Sequence, residues 1–187
     1  MADIKAHGTR LTTGDVGNRY LFQTLAQNGL NDLLYSMLNH YETPGYGFQL
    51  RHGATTLTEQ WDPNQGSSLN HFMMGQIDEW LFKTLAGIQN RPGTYGLRHL
   101  LIKPTLVGDL KYVNASTESL YGKISVSCTR SSLTVDIPVG SDAPSCCPTA
   151  PKSRLDRANT HSTSECIFIQ TALTATTPDG HLKLYGR

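Results

Sequence analysis

Ser68–Gly96 reads SLNHFMMGQIDEWLFKTLAGIQNRPGTYG, and the periodicity changes within it. Leu69, Phe72, Met73, Ile77, Trp80, Leu81, Leu85 and Ile88 recur at helical spacing, which predicts an amphipathic helix. Ser67 or Ser68 offers a cap at its start and Gly87 stands near its end. RPGTYG then reads as a linker, and beyond it apolar residues alternate. A helical part therefore precedes a β part, with the boundary near residue 92.

Upstream, Val16, Tyr20, Leu21, Leu25 and Ala26 form one helical stripe, with Thr13 or Asp15 as the cap and Gly29 as the stop. Leu30, Leu33, Leu34, Met37, Leu38 and Tyr41 form a second, closed by Pro44 and Gly45, and the short NGLN turn predicts an antiparallel pair. GYGFQLRHGATTLTEQWD is left as a long loop, its Thr55–Leu57 starting like a strand. Downstream, His99–Ile102, Lys111–Ser116, the Leu120/Gly122/Ile124/Val126/Cys128 series and Leu133/Val135/Ile137/Val139 read as antiparallel strands with one wet face. From Gly140 onward the alternation fails. SDAPSCCPTAPKSRLDRANTHSTSEC is Ser-, Thr- and Pro-rich and reads as a divergent or partly disordered tail. CIFIQTALTAT and DGHLKLYG suggest a final hairpin. The expected class is α+β: residues 1–91 helical, 92–140 β, 141–187 tail.

Composition excludes several functions. A net charge of +1 over 187 residues gives no electrostatic footprint for nucleic acid. No apolar run approaches the roughly 20 residues of a bilayer span, and MADIKAHGTRL lacks the apolar core of a signal peptide. The sequence shows no cofactor motif. Cys128, Cys146, Cys147 and Cys166 contain no CxxC pair, and with His161 they match no zinc spacing, so incidental thiols are the expected reading.

TTLTEQWD (Thr55–Asp62) carries the candidate chemistry. Glu59 beside Trp61 suits a general base that orients a water, since an indole covers the apolar face of a sugar ring while carboxylates and imidazoles hold its hydroxyls. The competing reading makes Glu59 an exposed loop charge and Trp61 a core plug. His71 stands at the first turn of the helix expected from the Leu69–Ile88 stripe, as a ligand contact or a solvated helix-end histidine. Asp62 before Pro63 reads more readily as a turn former. Tyr46 and Phe48 line the cleft or pack beneath it, Met73 and Met74 fill core, Asp78 and Glu79 are solvated, and Asp15 is a helix cap.

LTTGDVGNRYLFQTLAQNGLNDLLYSML, GYGFQLRHGATTLTEQWD and SLNHFMMGQIDEWLFKTLAGI together resemble the C-terminal part of the catalytic domain of bacterial-type α-L-rhamnosidases. The strands after them resemble that family's C-terminal β domain, from about Thr9 to Gly140 in all. The resemblance implies part of an (α/α)6 barrel, about three helices of it, followed by a β-sandwich-type domain. It also implies inverting hydrolysis of terminal α-L-rhamnosides without a cofactor. Glu59 matches the general base and His71 a rhamnose contact, while Trp61 and Asp62 belong to the same motif and join the substrate-binding set. Many relatives carry Trp where this chain has Thr58, so one aromatic wall is expected to be missing. The family's acid lies in an upstream Asp-, Arg- and Glu-rich segment, and nothing before residue 40 resembles it. The sequence thus reads as a fragment with the base but not the acid, inactive alone and partnered by the missing N-terminal part. The alternative is a non-catalytic carbohydrate-binding or assembly module.

Overall fold

The computed structural model describes residue 4, residues 6–144 and, as backbone, residues 154–155, 173–177 and 181–184. Cys146, Cys147, His161, Cys166 and most of the tail read from residue 141 lie outside the described residues. Two compact units divide the chain between Trp80 and Leu81. The first is helical and the second is antiparallel β, so the class is α+β as expected.

In the first unit, α1 (Asn18–Gln27) and α2 (Asn31–Leu38) form the anticipated pair. The turn between them uses Gly29 at φ 71°, a conformation that only glycine adopts without steric cost. The face of α1 differs from the one expected. Asn18, Phe22 and Leu25 are buried, whereas Val16 and Tyr20 are exposed. Neither Thr13 nor Asp15 caps this helix; Gly17 holds the cap position without a side-chain bond. Instead Thr13 Oγ1 donates to Asn18 Oδ1 at 2.7 Å.

A further helix, α3 (Tyr46–Arg51), occupies what the sequence left as loop. Flanking Pro44, Gly45 and Gly53 disguised it as a turn. Gly47 is required there by close approach, because a Cβ would stand 2.5 Å from the His40 carbonyl oxygen.

The Leu69–Ile88 stripe is not one helix. A 3₁₀ helix (Phe72–Gln76) leads into the short α4 (Ile77–Trp80), which ends the first unit. A π-helical turn (Leu81–Leu85) opens the second, and Ile88 already belongs to a strand. Leu69 and Phe72 are exposed, Phe72 by 85%. Ser67 and Ser68 do not cap this run; His71 precedes it.

The second unit starts with β1 (Ile88–Asn90), paired antiparallel with β2 (Leu100–Ile102). Gly87, at φ 71°, makes this reversal, and a Cβ there would lie 2.1 Å from the Lys103 carbonyl carbon. The main sheet orders β3 (Tyr112–Ser119), β4 (Gly122–Thr129) and β5 (Leu133–Asp136), all antiparallel. Val113, Ala115, Ile124, Val126, Cys128 and Leu133 supply its buried apolar face. The opposite face is not wet throughout, since Ser116, Ser125, Ser127 and Thr134 are buried as well. Leu120 and Val139 fall outside the strands and are exposed.

Asp142 ties the segment leading into β6 (Ala143–Pro144) to β2 through its backbone, accepting from Leu100 N at 2.7 Å. Its carboxylate meets Arg91 and His99, each at 2.5 Å. The backbone of β6 pairs with β7 (Arg154–Leu155), and β8 (Leu173–Thr177) pairs antiparallel with β9 (His181–Leu184), where the final hairpin was expected.

Candidate functional site

Thr55–Asp62 forms no strand. It is an irregular loop folded back against Ser68–His71, and individual hydrogen bonds replace a ladder. Glu59 N donates to Ser68 O at 2.9 Å, His71 N donates to Leu57 O at 2.7 Å, and Thr56 Oγ1 donates to Leu69 O. These bonds set the Glu59 and His71 segments side by side, although twelve positions separate the two residues in sequence.

Beneath the loop, Gln49 of α3 is 2% exposed and its amide donates to the carbonyls of Thr58 and Gln60, at 3.3 and 3.2 Å. Buried carbonyls need such partners, because an unmatched one costs about 1–3 kcal/mol. Gln49, within the Phe48–Leu50 segment, therefore supports the loop. Thr58 is itself buried, its hydroxyl donating to Gln60 O at 2.6 Å. It serves the loop's own backbone.

Glu59 is exposed, and its Oε2 accepts from Ser68 N at 3.2 Å. One carboxylate oxygen is thus held while the group keeps access to water, an arrangement compatible with ordering a water for attack. Asp62 is engaged locally: Oδ1 accepts from Asn64 N at 2.9 Å and Asn64 Nδ2 at 3.2 Å. That is an Asx turn.

Trp61 is half-buried and doubly fixed. Its indole donates to Thr13 O at 3.1 Å, and Tyr46 meets its ring edge-on at a centroid distance of 5.1 Å. Such pairs add about 0.5–1.5 kcal/mol beyond burial. Tyr46 packs beneath the site, donating its hydroxyl to Met74 O at 2.5 Å. Burial, followed by the nearby Asp78 charge, pushes its phenol well above the ordinary range. Trp61 also borders an open cavity of about 510 Å³ with Arg10, Leu11, Thr13 and Pro44. Phe48 stacks on His52 instead, at 3.9 Å between centroids.

His71 is mostly buried, its side chain 23% exposed. Asp15, the expected helix cap, faces it: Oδ2 lies 3.5 Å from His71 Nε2. Glu79 is not simply solvated, since it accepts from Gln23 at 3.1 Å and meets Arg19 at 3.5 Å. Met74 is core, as read, whereas Met73 is partly exposed. Among the described residues no group of three potential metal ligands occurs, and no helix is long and apolar enough to cross a membrane.

Residues 1–85 match the model of the bacterial alpha-L-rhamnosidase 6 hairpin glycosidase domain, and residues 87–162 that of the bacterial alpha-L-rhamnosidase C-terminal domain. An alpha-L-rhamnosidase of Streptomyces avermitilis is 33% identical over 134 residues, covering 67% of this chain and 13% of that protein. One from Alteromonas sp. (strain LOR) is 30% identical over 145 residues, covering 73% of this chain and 16% of the relative. The chain thus spans 13–16% of the length of the curated relatives it matches. Among solved structures, the Dictyoglumus thermophilum alpha-L-rhamnosidase aligns with a TM-score of 0.69 at 31% identity, covering 76% of this chain and 17% of that one. The Streptomyces avermitilis enzyme complexed with L-rhamnose aligns with a TM-score of 0.71 at 30% identity, covering 77% and 15%.

Proposed function

We infer the chemistry of the Glu59 loop from the premise that the chain belongs to the bacterial α-L-rhamnosidase family. The reading is inverting hydrolysis of terminal α-L-rhamnosides, with Glu59 as the general base and His71 and Trp61 as sugar contacts. Asp62 joins them by shaping the turn that follows the indole. The observation that carries it is the clamp between the Glu59 and Ser68–His71 segments. It holds an exposed carboxylate by one oxygen beside the His71 segment.

Inversion needs two carboxyl groups about 6.5–9.5 Å apart, one protonating the leaving oxygen and one activating water. We assign only the second to this chain. The acid is assigned to the remainder of such an enzyme, since this chain spans 13–16% of the length of its curated relatives. A missing acid removes roughly 10²–10⁴ in rate, so the chain alone is expected to bind rhamnose without turnover.

The test is nitrophenol release from an aryl α-L-rhamnoside, beside isothermal titration with L-rhamnose, for the wild type and Glu59→Gln. Binding without release is the expected result. Release that vanishes in Glu59→Gln would keep the base and place an acid within the chain. Release that survives the substitution, or no binding by the folded chain, would sink the assignment.

A further inference from the structure

We propose that Asp15 is the positioning residue of His71, fixing which ring nitrogen faces a bound sugar; this rests on the sugar-contact reading of His71. The His71 Nε2 atom is buried and makes no hydrogen bond, yet the Asp15 carboxylate stands 3.5 Å away. A buried imidazole nitrogen without a partner is costly, and a carboxylate within ion-pair distance is the group that relieves it. A small inward shift of the ring turns that approach into a charge-assisted hydrogen bond, with Nε2–H donating to Oδ2. Nδ1 has no hydrogen bond to another described residue and is left to accept from a ligand hydroxyl.

Asp15 is itself held in place, as positioning demands. Its Oδ1 accepts from Val16 N at 2.9 Å, and its carbonyl accepts from Gln76 Nε2. Two residues earlier, Thr13 O takes the Trp61 indole. Three residues later, the fully buried Asn18 sends its amide to Met74 Sδ at 3.8 Å. The Thr13–Asn18 bracket therefore fixes the indole and faces the imidazole with one carboxylate. Residues that are far apart in sequence share a preorganised wall.

The experiment uses the whole chain labelled with ¹⁵N-histidine, with the His71 ring signals assigned by their loss in His71→Gln. In the wild type, Nε2 is expected to carry the proton and L-rhamnose to move both ring signals. Asp15→Asn should shift the ring towards the other tautomer and weaken L-rhamnose binding roughly tenfold, the scale of one hydrogen bond to a charged group. Asp15→Glu should restore much of both. Ring signals unmoved by Asp15→Asn would overturn the proposal, including where the substitution lowers the melting temperature. Rhamnose binding that persists in that case leaves the sugar site standing. Wild-type ring signals blind to L-rhamnose would instead overturn the sugar-contact reading of His71, and Asp15's role with it.

Discussion

The β3–β4 hairpin and the Thr55–His71 loop are both reversals of chain, yet they are held by different means. The hairpin pairs eight residues on each side, from Tyr112↔Thr129 to Ser119↔Gly122, and buries Val113, Ala115, Ile124 and Val126. The loop has no ladder and relies on side chains of Gln49, Thr56, Thr58 and Glu59 to satisfy its backbone or bind across it. Stability in the first is spread over a repeated pattern, whereas in the second each bond is unique. A loop of the second kind can present unlike groups at irregular intervals, which a site needs and a strand's alternation forbids.

The largest expected effect is in the hairpin's core. Ile124 is 0% exposed, and Ile124→Ala should cost about 2–5 kcal/mol from lost burial and a cavity. A urea unfolding midpoint reads it, and a cost below about 1 kcal/mol would mean that the sheet carries no packed core. Gln49→Ala comes next, at about 1–3 kcal/mol, because it strands the Thr58 carbonyl and leaves that of Gln60 with the Thr58 hydroxyl. Here the sign of the comparison is in the location. Hydrogen exchange should accelerate at the Glu59 and His71 amides, which close the loop, while β3 and β4 amides stay protected. Uniform acceleration would break the distinction.

What the sequence shows follows the same division. Alternation around Ile124, Val126 and Cys128 is local, since a strand's faces repeat every two residues, and β4 stands over these residues. Leu120 and Val139, at the ends of the expected series, fall outside the strands. The helical stripe from Leu69 to Ile88 misleads because a 3.6-residue template also fits 3₁₀ and π turns over short spans. Gly87 at positive φ then ends the run in a strand. The short helix Tyr46–Arg51 hides between Pro44 and Gly53, and its buried Gln49 looks like any surface polar residue. Glu59 and His71 are readable as a set through the family motif. Asp15 is not, because a Gly-Asp pair before a helix looks like a cap and its facing histidine lies 56 positions away.

Two carboxylates give the comparison a pH axis. Asp142 in the β unit sits below the ordinary carboxylate range: burial raises it, and the hydrogen bonds and charges of His99 and Arg91 outweigh that. Its contribution to stability is present above the unfolded value, about 4, and fades as pH falls through the lower folded value. Asp78 in the helical unit is exposed as a residue, as read, yet partial burial of its carboxylate raises it. Its contribution is present below about pH 4 and fades as pH rises through the folded value. Asp142→Asn should therefore lower the melting temperature at pH 6 and lose its effect towards pH 2, whereas Asp78→Asn should raise it at pH 6 and do little at pH 3. Matching profiles for the two variants would refute the assignment of opposite shifts.

The smallest effect is expected at the hairpin's tip, where the ladder makes individual side chains dispensable. Leu120 is 93% exposed, so Leu120→Lys should change stability by no more than about 0.5 kcal/mol. The turn's geometry comes from its neighbours: Ser119 Oγ donates to Gly122 O at 2.8 Å and accepts from Tyr121 N at 3.1 Å, and Gly122 takes φ 123°. Ser119→Ala removes both side-chain bonds and should cost about 1 kcal/mol, more than replacing the large apolar residue next to it. The two variants, compared by denaturant midpoint at equal slope, separate the contributions of tip side chain and turn chemistry. If Leu120→Lys proves the costlier, the tip is packed against something, and the hairpin resembles the loop more closely than its ladder suggests.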